Sequence, residues 1–202
     1  MNTYDNTGIP DDEQIIAVTQ AWVDKAVIGM NLCPFAKAVQ VRQQVRYVVS
    51  RATTTQALYE DLHQELVFLA KADPQQIDTT LLIHPCVLND FLDYNAFLDA
   101  ADSALEELDL EGEIQIASFH PAYQFADAAA DDVSNCTNRS PYPILHLLRE
   151  VSIERAVNAI PDAADIYERN IAAMEALGKE GWQRLQQEIL NTACTHRTMP
   201  KN

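Results

Sequence analysis

The sequence predicts an α/β fold built around a small three-stranded sheet, with elements in the order βαβαβ and with the strands parallel. Three short apolar runs indicate the strands: Val45 to Ser50, Thr79 to Ile83 and Ile114 to Phe119. Longer amphipathic segments separate these runs, and strands joined by helices pair in parallel through right-handed crossovers. We therefore expect helices to flank the sheet on both faces and a helical C-terminal part to begin at about residue 141.

The domain organisation follows from length and composition. With 202 residues, 48% of them hydrophobic, the chain is long enough to bury one sizeable core. We expect a flexible N-terminal arm over residues 1–11, a single α/β domain over residues 12–193 and a loose tail over residues 194–202.

The first helical segment is predicted from Asp11 or Asp12, either of which can cap it, to about Met30, with Gly29 as its terminator. Pro34 suits the first position of a second, short helix. Cys33 would then lie at a helix N-terminus, where the helix dipole lowers the pKa of a thiol.

Two longer helices should separate the strands. Thr53 or Thr54 can cap the first, which carries leucines at helical spacing up to Ala70 before Asp73 and Pro74 break it. The second runs from about Asp90 to Leu108, and Gly112 marks the turn into the third strand.

The segment from Pro121 to Ser140 has no clear periodicity, and a loop of that length is usually functional or disordered. Ser140 and Pro141 then predict a helix start. On that helix Tyr142, His146 and Arg149 would share one polar face. The rest of the chain should continue this helix to Ala159 and add helices over 163–177, ended by Gly178, and 181–193.

The charge limits the class of partner. Thirty acidic residues against 14 Lys and Arg give a net charge of −16, which disfavours nucleic acid and anionic membrane surfaces. We found no signal peptide and no long apolar run, so we expect a cytoplasmic protein. Its cysteines, which lack CxxC spacing, should then be free thiols: Cys33, Cys86, Cys136 and Cys194.

The candidate catalytic residues are His120, His146 and Cys33. His84 and His120 directly follow strands, and the carboxyl ends of parallel strands form the edge where open α/β sheets bind ligands. A histidine there can act as a general acid or base, and Cys33 can act as a nucleophile. The alternatives are histidines bonded to loop backbone and a cysteine packed in the core.

The candidate substrate-binding residues surround the long loop: Tyr123, Asn138, Arg139, Tyr142 and Arg149. Two guanidinium groups suit a carboxylate or a phosphate. Pro141 and Pro143 remove backbone donors, so an anion would be held by side chains. The alternative is that the arginines clamp the loop through Asp127, Asp131 or Asp132.

A metal site would need several ligands to converge from distant positions, namely Cys33, His84, Cys86, His120 and His146. No two of them have the close spacing typical of metal sites, so the sequence predicts no metal ligands and leaves any cofactor unknown.

Several stretches resemble a known bacterial family, domain of unknown function 1415. The matching stretches are residues 31–36, 115–121, Tyr123 to Phe125, Thr137 to Glu150 and Glu168 to Ile171. The resemblance spans about residues 14–178 and implies no established activity. It favours the residues of the matching stretches over His84 and Cys86: His120, Asn138, Arg139, His146 and Arg149.

The sequence leads to three hypotheses. The first is an enzyme acting on a small anionic metabolite at the carboxyl edge of the sheet. The second is a non-catalytic ligand-sensing or protein-interaction domain whose polar cluster is structural, and the third is a Cys/His metal-binding protein. On the first hypothesis, Arg149→Ala should abolish ligand binding while leaving the melting temperature nearly unchanged. The sequence does not predict the oligomeric state.

Overall fold

The computed structural model describes residues 9–158 and 166–192. Most of the predicted arm, the predicted tail with Cys194, and the segment around Pro161 lie outside these residues. One mixed sheet has the strand order β1-β2-β4-β3. The strands are β1 (Val45–Val49), β2 (Thr79–Ile83), β3 (Ile114–Phe119) and β4 (Ile144–Arg149). The mixed α/β class is confirmed, whereas the three-stranded parallel sheet is wrong.

The error lies in β4, which the sequence suggested was a helix. Strands β1 and β2 pair in parallel, but β4 lies between β2 and β3 and is antiparallel to both. The three predicted strands therefore run in one direction, with a fourth inserted among them. Central strands that are covered on both faces show a continuous apolar run instead of alternation. Such a run cannot be distinguished from a helix by periodicity alone.

Two of the helix caps predicted from sequence are confirmed by hydrogen bonds. Helix α1 (Asp12–Trp22) is capped by Asp11, whose carboxylate accepts from Gln14 N at 2.9 Å. Helix α3 (Thr55–Lys71) is capped by Thr54. Asp90, predicted only as the approximate start of the next helix, caps helix α4 (Phe91–Glu107).

Two features near the N-terminus differ from the prediction. The end of the first helical segment, Val23–Ile28, is a π-helix that follows α1 directly. Helix α2 (Ala36–Val41) is short and begins two residues after Pro34. Cys33 therefore does not lie at a helix N-terminus.

The C-terminal part is helical, as predicted, but begins after β4. Helix α5 (Glu150–Asn158) follows that strand without a loop. Helix α6 (Ile166–Leu190) is interrupted at Gly178, whose φ of 69° is not helical, so the predicted break is confirmed. No helix within the described ranges is both long enough and apolar enough to span a membrane.

Each face of the sheet has its own core. Leucines of α3 and aromatic and aliphatic residues of α4 cover one face, where they pack on Leu82, Leu145 and Leu147. The π-helix, α1 and α6 cover the other face, where they pack on Leu81, Ile83 and Ile144. Alternate residues of β4 contribute to the two cores, as expected for a strand buried on both sides.

Candidate functional site

A cavity of about 590 Å³ lies on the sheet face that carries the π-helix. It extends to the end of the sheet where β1 and β2 begin and β4 ends, and it also reaches Phe119, the last residue of β3. Its described walls are mostly apolar. Polar and charged side chains in the lining are Cys33, Arg42, Asp78, Thr79, Gln115, His146, Arg149, Ser152 and Arg155.

The pleat of the central strands places His146 in this cavity. Its direct neighbours on β2 and β3 are Leu81 and Ala117, which line the same cavity. The opposite wall includes Trp22, from the end of α1, and residues of the π-helix such as Val27. π-Helical turns are frequent at functional sites, because they shift side chains relative to a regular helix.

His146 is held by one hydroxyl group. Its Nε2 lies 2.7 Å from Thr79 Oγ1, which itself donates a hydrogen bond of 2.6 Å to Leu147 O. Nδ1 has no hydrogen-bond partner in the described part of the chain. Burial lowers the pKa of His146 to about 4, so the imidazole is neutral at pH 7.

Two arginines lie at the mouth of the cavity. Arg42, just after α2, and Arg155, on α5, are exposed residues that also contribute to the lining. Neither forms an ion pair within residues 9–158 and 166–192. Arg155 Nη2 lies 3.4 Å from Ser152 Oγ, and that hydroxyl donates to Asp78 Oδ1 at 2.6 Å.

Arg149 contributes to the lining but its guanidinium is engaged by the fold. Nη2 donates to the carbonyl oxygens of Leu69 and Ala72 at the end of α3. Its Nε is buried and has no partner among the described residues. Arg149 therefore stabilises the C-terminus of a helix, where a cation is favoured by the helix dipole.

Cys33 lines the cavity, as the hypothesis of a reactive cysteine requires, but its environment does not activate it. Burial raises the pKa of the thiol above its ordinary value, and this effect outweighs the hydrogen bonds from the backbone of Phe35 and Ala36. The thiol is therefore neutral at pH 7, and the expected lowering of its pKa by a helix dipole is wrong.

The carboxyl edge of the sheet, where the sequence predicted the site, is filled by side chains. We call this region around His84, Tyr94 and His120 the closed edge. Tyr94 packs between His84 and His120, with ring centroids 5.7 and 5.1 Å away. His120 is 1% exposed, and both ring nitrogens are bonded to backbone: Nδ1 accepts from Ala122 N and Nε2 donates to Leu88 O. This geometry matches the structural alternative for His120.

The long loop is held together by its own polar residues. Arg139 donates to the backbone oxygens of Tyr123 and Ala130, and so clamps the loop through carbonyl groups instead of the expected aspartates. Asn138 Nδ2 donates to Ser118 O. The buried Asn135, which sequence reasoning missed, bonds Phe125 N and Ala129 O.

Three of the eight predicted site residues line the cavity, namely Cys33, His146 and Arg149. Tyr123, Asn138 and Arg139 belong to the hydrogen-bonded long loop, and His120 belongs to the closed edge. Tyr142 packs against the core on the sheet face that carries the π-helix. Sequence reasoning missed Thr79, Arg42 and Arg155 because their role depends on which strands and helices become neighbours. A signal was present for the arginines, since Lys and Arg are scarce in so acidic a chain, with 14 of them against 30 Asp and Glu.

The proposed metal ligands do not converge. Within the described ranges, no group of three or more His, Cys, Asp or Glu side chains is arranged to hold a metal ion. Cys33 and His146 line the cavity, whereas His84 and His120 lie at the closed edge.

A comparison with known families gives one match. The family model described as "Protein of unknown function (DUF1415)" matches residues 14–184. The matched region includes the whole sheet and every cavity residue named above. No curated protein and no solved structure matches the chain.

Proposed function

Because the chain belongs to this family of proteins of unknown function, whose description gives no activity, we propose its function from the cavity alone. The protein binds a small anionic molecule with an apolar body, and acts on it as an enzyme with His146 as proton acceptor. The observation that carries the proposal is a positively charged, mostly apolar cavity that contains a neutral imidazole with an open nitrogen.

Charge supports an anionic ligand. The lining contains three arginines and one aspartate, a net charge of +2 in a chain whose net charge is −16. A local field of opposite sign to the rest of the surface concentrates anions at the mouth of the cavity. Arg42 and Arg155 are the candidates for direct contact with a carboxylate or a phosphate, since Arg149 is already bonded to α3.

The walls support an apolar body. A volume of about 590 Å³ is within the range of cavities that bind small molecules, which are largely lined by apolar groups with a few polar ones. A strongly hydrophilic ligand would lose its hydration against Trp22, Leu81 and Phe119 without recovering hydrogen bonds.

His146 supports a chemical step. The neutral ring presents a lone pair at Nδ1, and a bound anion nearby favours the imidazolium form. Ligand binding should therefore raise the pKa of His146 from about 4 and promote proton transfer to it.

The test is a thermal-shift screen with matched pairs of probes. Decanoate and 3-phenylpropionate should raise the melting temperature, because a ligand that binds the folded state stabilises it by mass action. The corresponding amides, decanamide and 3-phenylpropanamide, should have little effect. Equal shifts from acids and amides, or no shift from either, would overturn the proposal.

Arginine variants test the contact directly. We expect Arg42→Gln and Arg155→Gln each to weaken binding of the acids by about tenfold, through loss of a charge-assisted hydrogen bond. Arg184→Gln is the matched control, since Arg184 lies on the surface of α6, where it pairs with Glu180, and is not among the residues that line the cavity. Calorimetric titration measures the affinity of each variant for the acids. An equal loss of affinity in all three variants would contradict a specific role for Arg42 and Arg155.

The second candidate is binding without chemistry, as in a sensor. It is favoured by the neutral thiol of Cys33 and by the bonding of Asp78 to Ser152, which leave His146 as the main acid–base group of the cavity. Incubation of a bound acid with the protein in D2O, followed by NMR of the acid, separates the two candidates. Deuterium incorporation into the acid that disappears in His146→Asn supports the enzyme, and binding without incorporation supports the sensor.

A further inference from the structure

We propose that Thr79 fixes the tautomer of His146, and thereby makes the cavity prefer anionic ligands that present a hydroxyl or N–H donor to Nδ1. This inference rests on the proposed function and adds a ligand class to it. The substrate would be a hydroxy or amino derivative of an amphiphilic acid, with its donor group located away from the acid group that faces Arg42 and Arg155.

The tautomer follows from counting hydrogens. A threonine hydroxyl has one hydrogen to donate. The contact of 2.6 Å between Thr79 Oγ1 and Leu147 O joins two oxygens, so the hydroxyl hydrogen must lie between them. The contact of 2.7 Å to His146 Nε2 can then be a hydrogen bond only if Nε2 carries the proton. In a neutral ring, Nδ1 is therefore an acceptor.

Thr79 has little freedom to change this arrangement. It is 5% exposed and lies on the central strand β2, directly opposite Leu148 of β4. β-Branched side chains are restricted at χ1, and rotation would leave Leu147 O without this donor. The protein thus determines the protonation pattern of the imidazole before any ligand arrives.

The donor for Nδ1 has to come from outside the strands. The cross-strand neighbours of His146 are Leu81 and Ala117, whose side chains carry no polar atom, and Nδ1 has no partner within the described part of the chain. A ligand that offers an ether or carbonyl oxygen at this point would place two acceptors face to face. A ligand hydroxyl or amine would donate to Nδ1.

The first experiment observes the tautomer directly. We expect ¹⁵N NMR of histidine-labelled protein at pH 7 to show His146 with its proton on Nε2, in wild type and in the matched control Thr79→Ser. In Thr79→Val the Nδ1–H form should become populated. Signals are assigned by their loss in His146→Asn. A wild-type ring protonated on Nδ1, or a tautomer that is unchanged in Thr79→Val, would overturn the role of Thr79.

The second experiment tests the ligand class. The probes are 12-hydroxydodecanoate, its methyl ether 12-methoxydodecanoate, and dodecanoate as a control for the apolar body. In wild type and Thr79→Ser, the hydroxy acid should bind about tenfold more tightly than the methyl ether, since the ether leaves Nδ1 unpaired. In Thr79→Val, where the ring can offer either form, the preference should fall below about threefold.

The two proposals fail in different ways. If the hydroxy acid and the methyl ether bind wild type equally well, the preference for donors is wrong but the proposal of an anion-binding cavity stands. If none of the three acids binds, both the ligand class and the proposed function are wrong.

Discussion

The carboxyl edge of the sheet and the sheet face that borders the cavity contain the same residue type, histidine, in opposite situations. At the carboxyl ends of β2 and β3, His84 and His120 pack on Tyr94 in a buried cluster, and both nitrogens of His120 are bonded to backbone. In β4, His146 is bonded at Nε2 only and faces a cavity. The difference indicates that a histidine in a sheet becomes available for ligands when the fold leaves one nitrogen open to a cavity.

The largest effect that would test this comparison is the loss of folding stability at low pH that is caused by His84 at the closed edge. His84 is fully buried, and burial lowers its pKa to about 4, with a smaller contribution from His120 nearby. Above pH 6.5 the ring is neutral in both folded and unfolded chains. Between pH 6.5 and about 4 only the unfolded chain takes up the proton, so stability falls as the pH falls, by about 3 kcal/mol in total. Below pH 4 the loss stops.

His84→Asn isolates this contribution, because asparagine can donate to Val87 O as His84 Nδ1 does at 3.1 Å. Urea denaturation at several pH values between 7 and 4 measures the free energy of unfolding. The wild type should lose stability relative to the variant as the pH falls. Parallel curves for the two proteins would show that His84 does not remain neutral in the folded state.

The next effect concerns the hydroxyl of Tyr94, which donates to Ile144 O at 2.8 Å and accepts from Phe119 N at 3.1 Å. Tyr94→Phe keeps the ring but leaves both backbone groups without this partner. We expect a loss of about 2 kcal/mol in the free energy of unfolding. Tyr59→Phe is the control, since its hydroxyl bonds Glu107 at the surface and its loss should leave the denaturation midpoint nearly unchanged. A Tyr94→Phe protein as stable as wild type would contradict a structural role for the closed edge.

The smallest of the three effects concerns Arg149, which belongs to the fold more than to the cavity. The sequence suggested that its replacement would abolish binding without affecting stability. Since its guanidinium bonds the end of α3, we expect Arg149→Met to lower the free energy of unfolding by about 1.5 kcal/mol. Arg149→Lys keeps the charge, so it should lower the free energy of unfolding by less. Normal thermal stability of Arg149→Met combined with loss of acid binding would restore the sequence-based expectation.

Much of the fold was predictable because its signals are local. The apolar runs of β2 and β3, the caps Asp11 and Thr54, and the break at Gly178 all depend on a few neighbouring residues. Strand β4 was not predictable in this way, since a run of leucines around His146 fits a helix as well as a strand covered on both faces. The segment is a strand because it pairs with β2 and β3 in the folded protein.

The candidate site shows the same division. Residues that can hold an anion or transfer a proton can be recognised by type in the sequence, and His146 and Cys33 could be chosen in this way as candidate site residues. Only the tertiary structure separates His146 from His120, because hydrogen bonds and burial depend on partners that are distant along the chain. Insertion of β4 between β2 and β3 brings His146 to Thr79, and leaves one imidazole nitrogen facing the cavity.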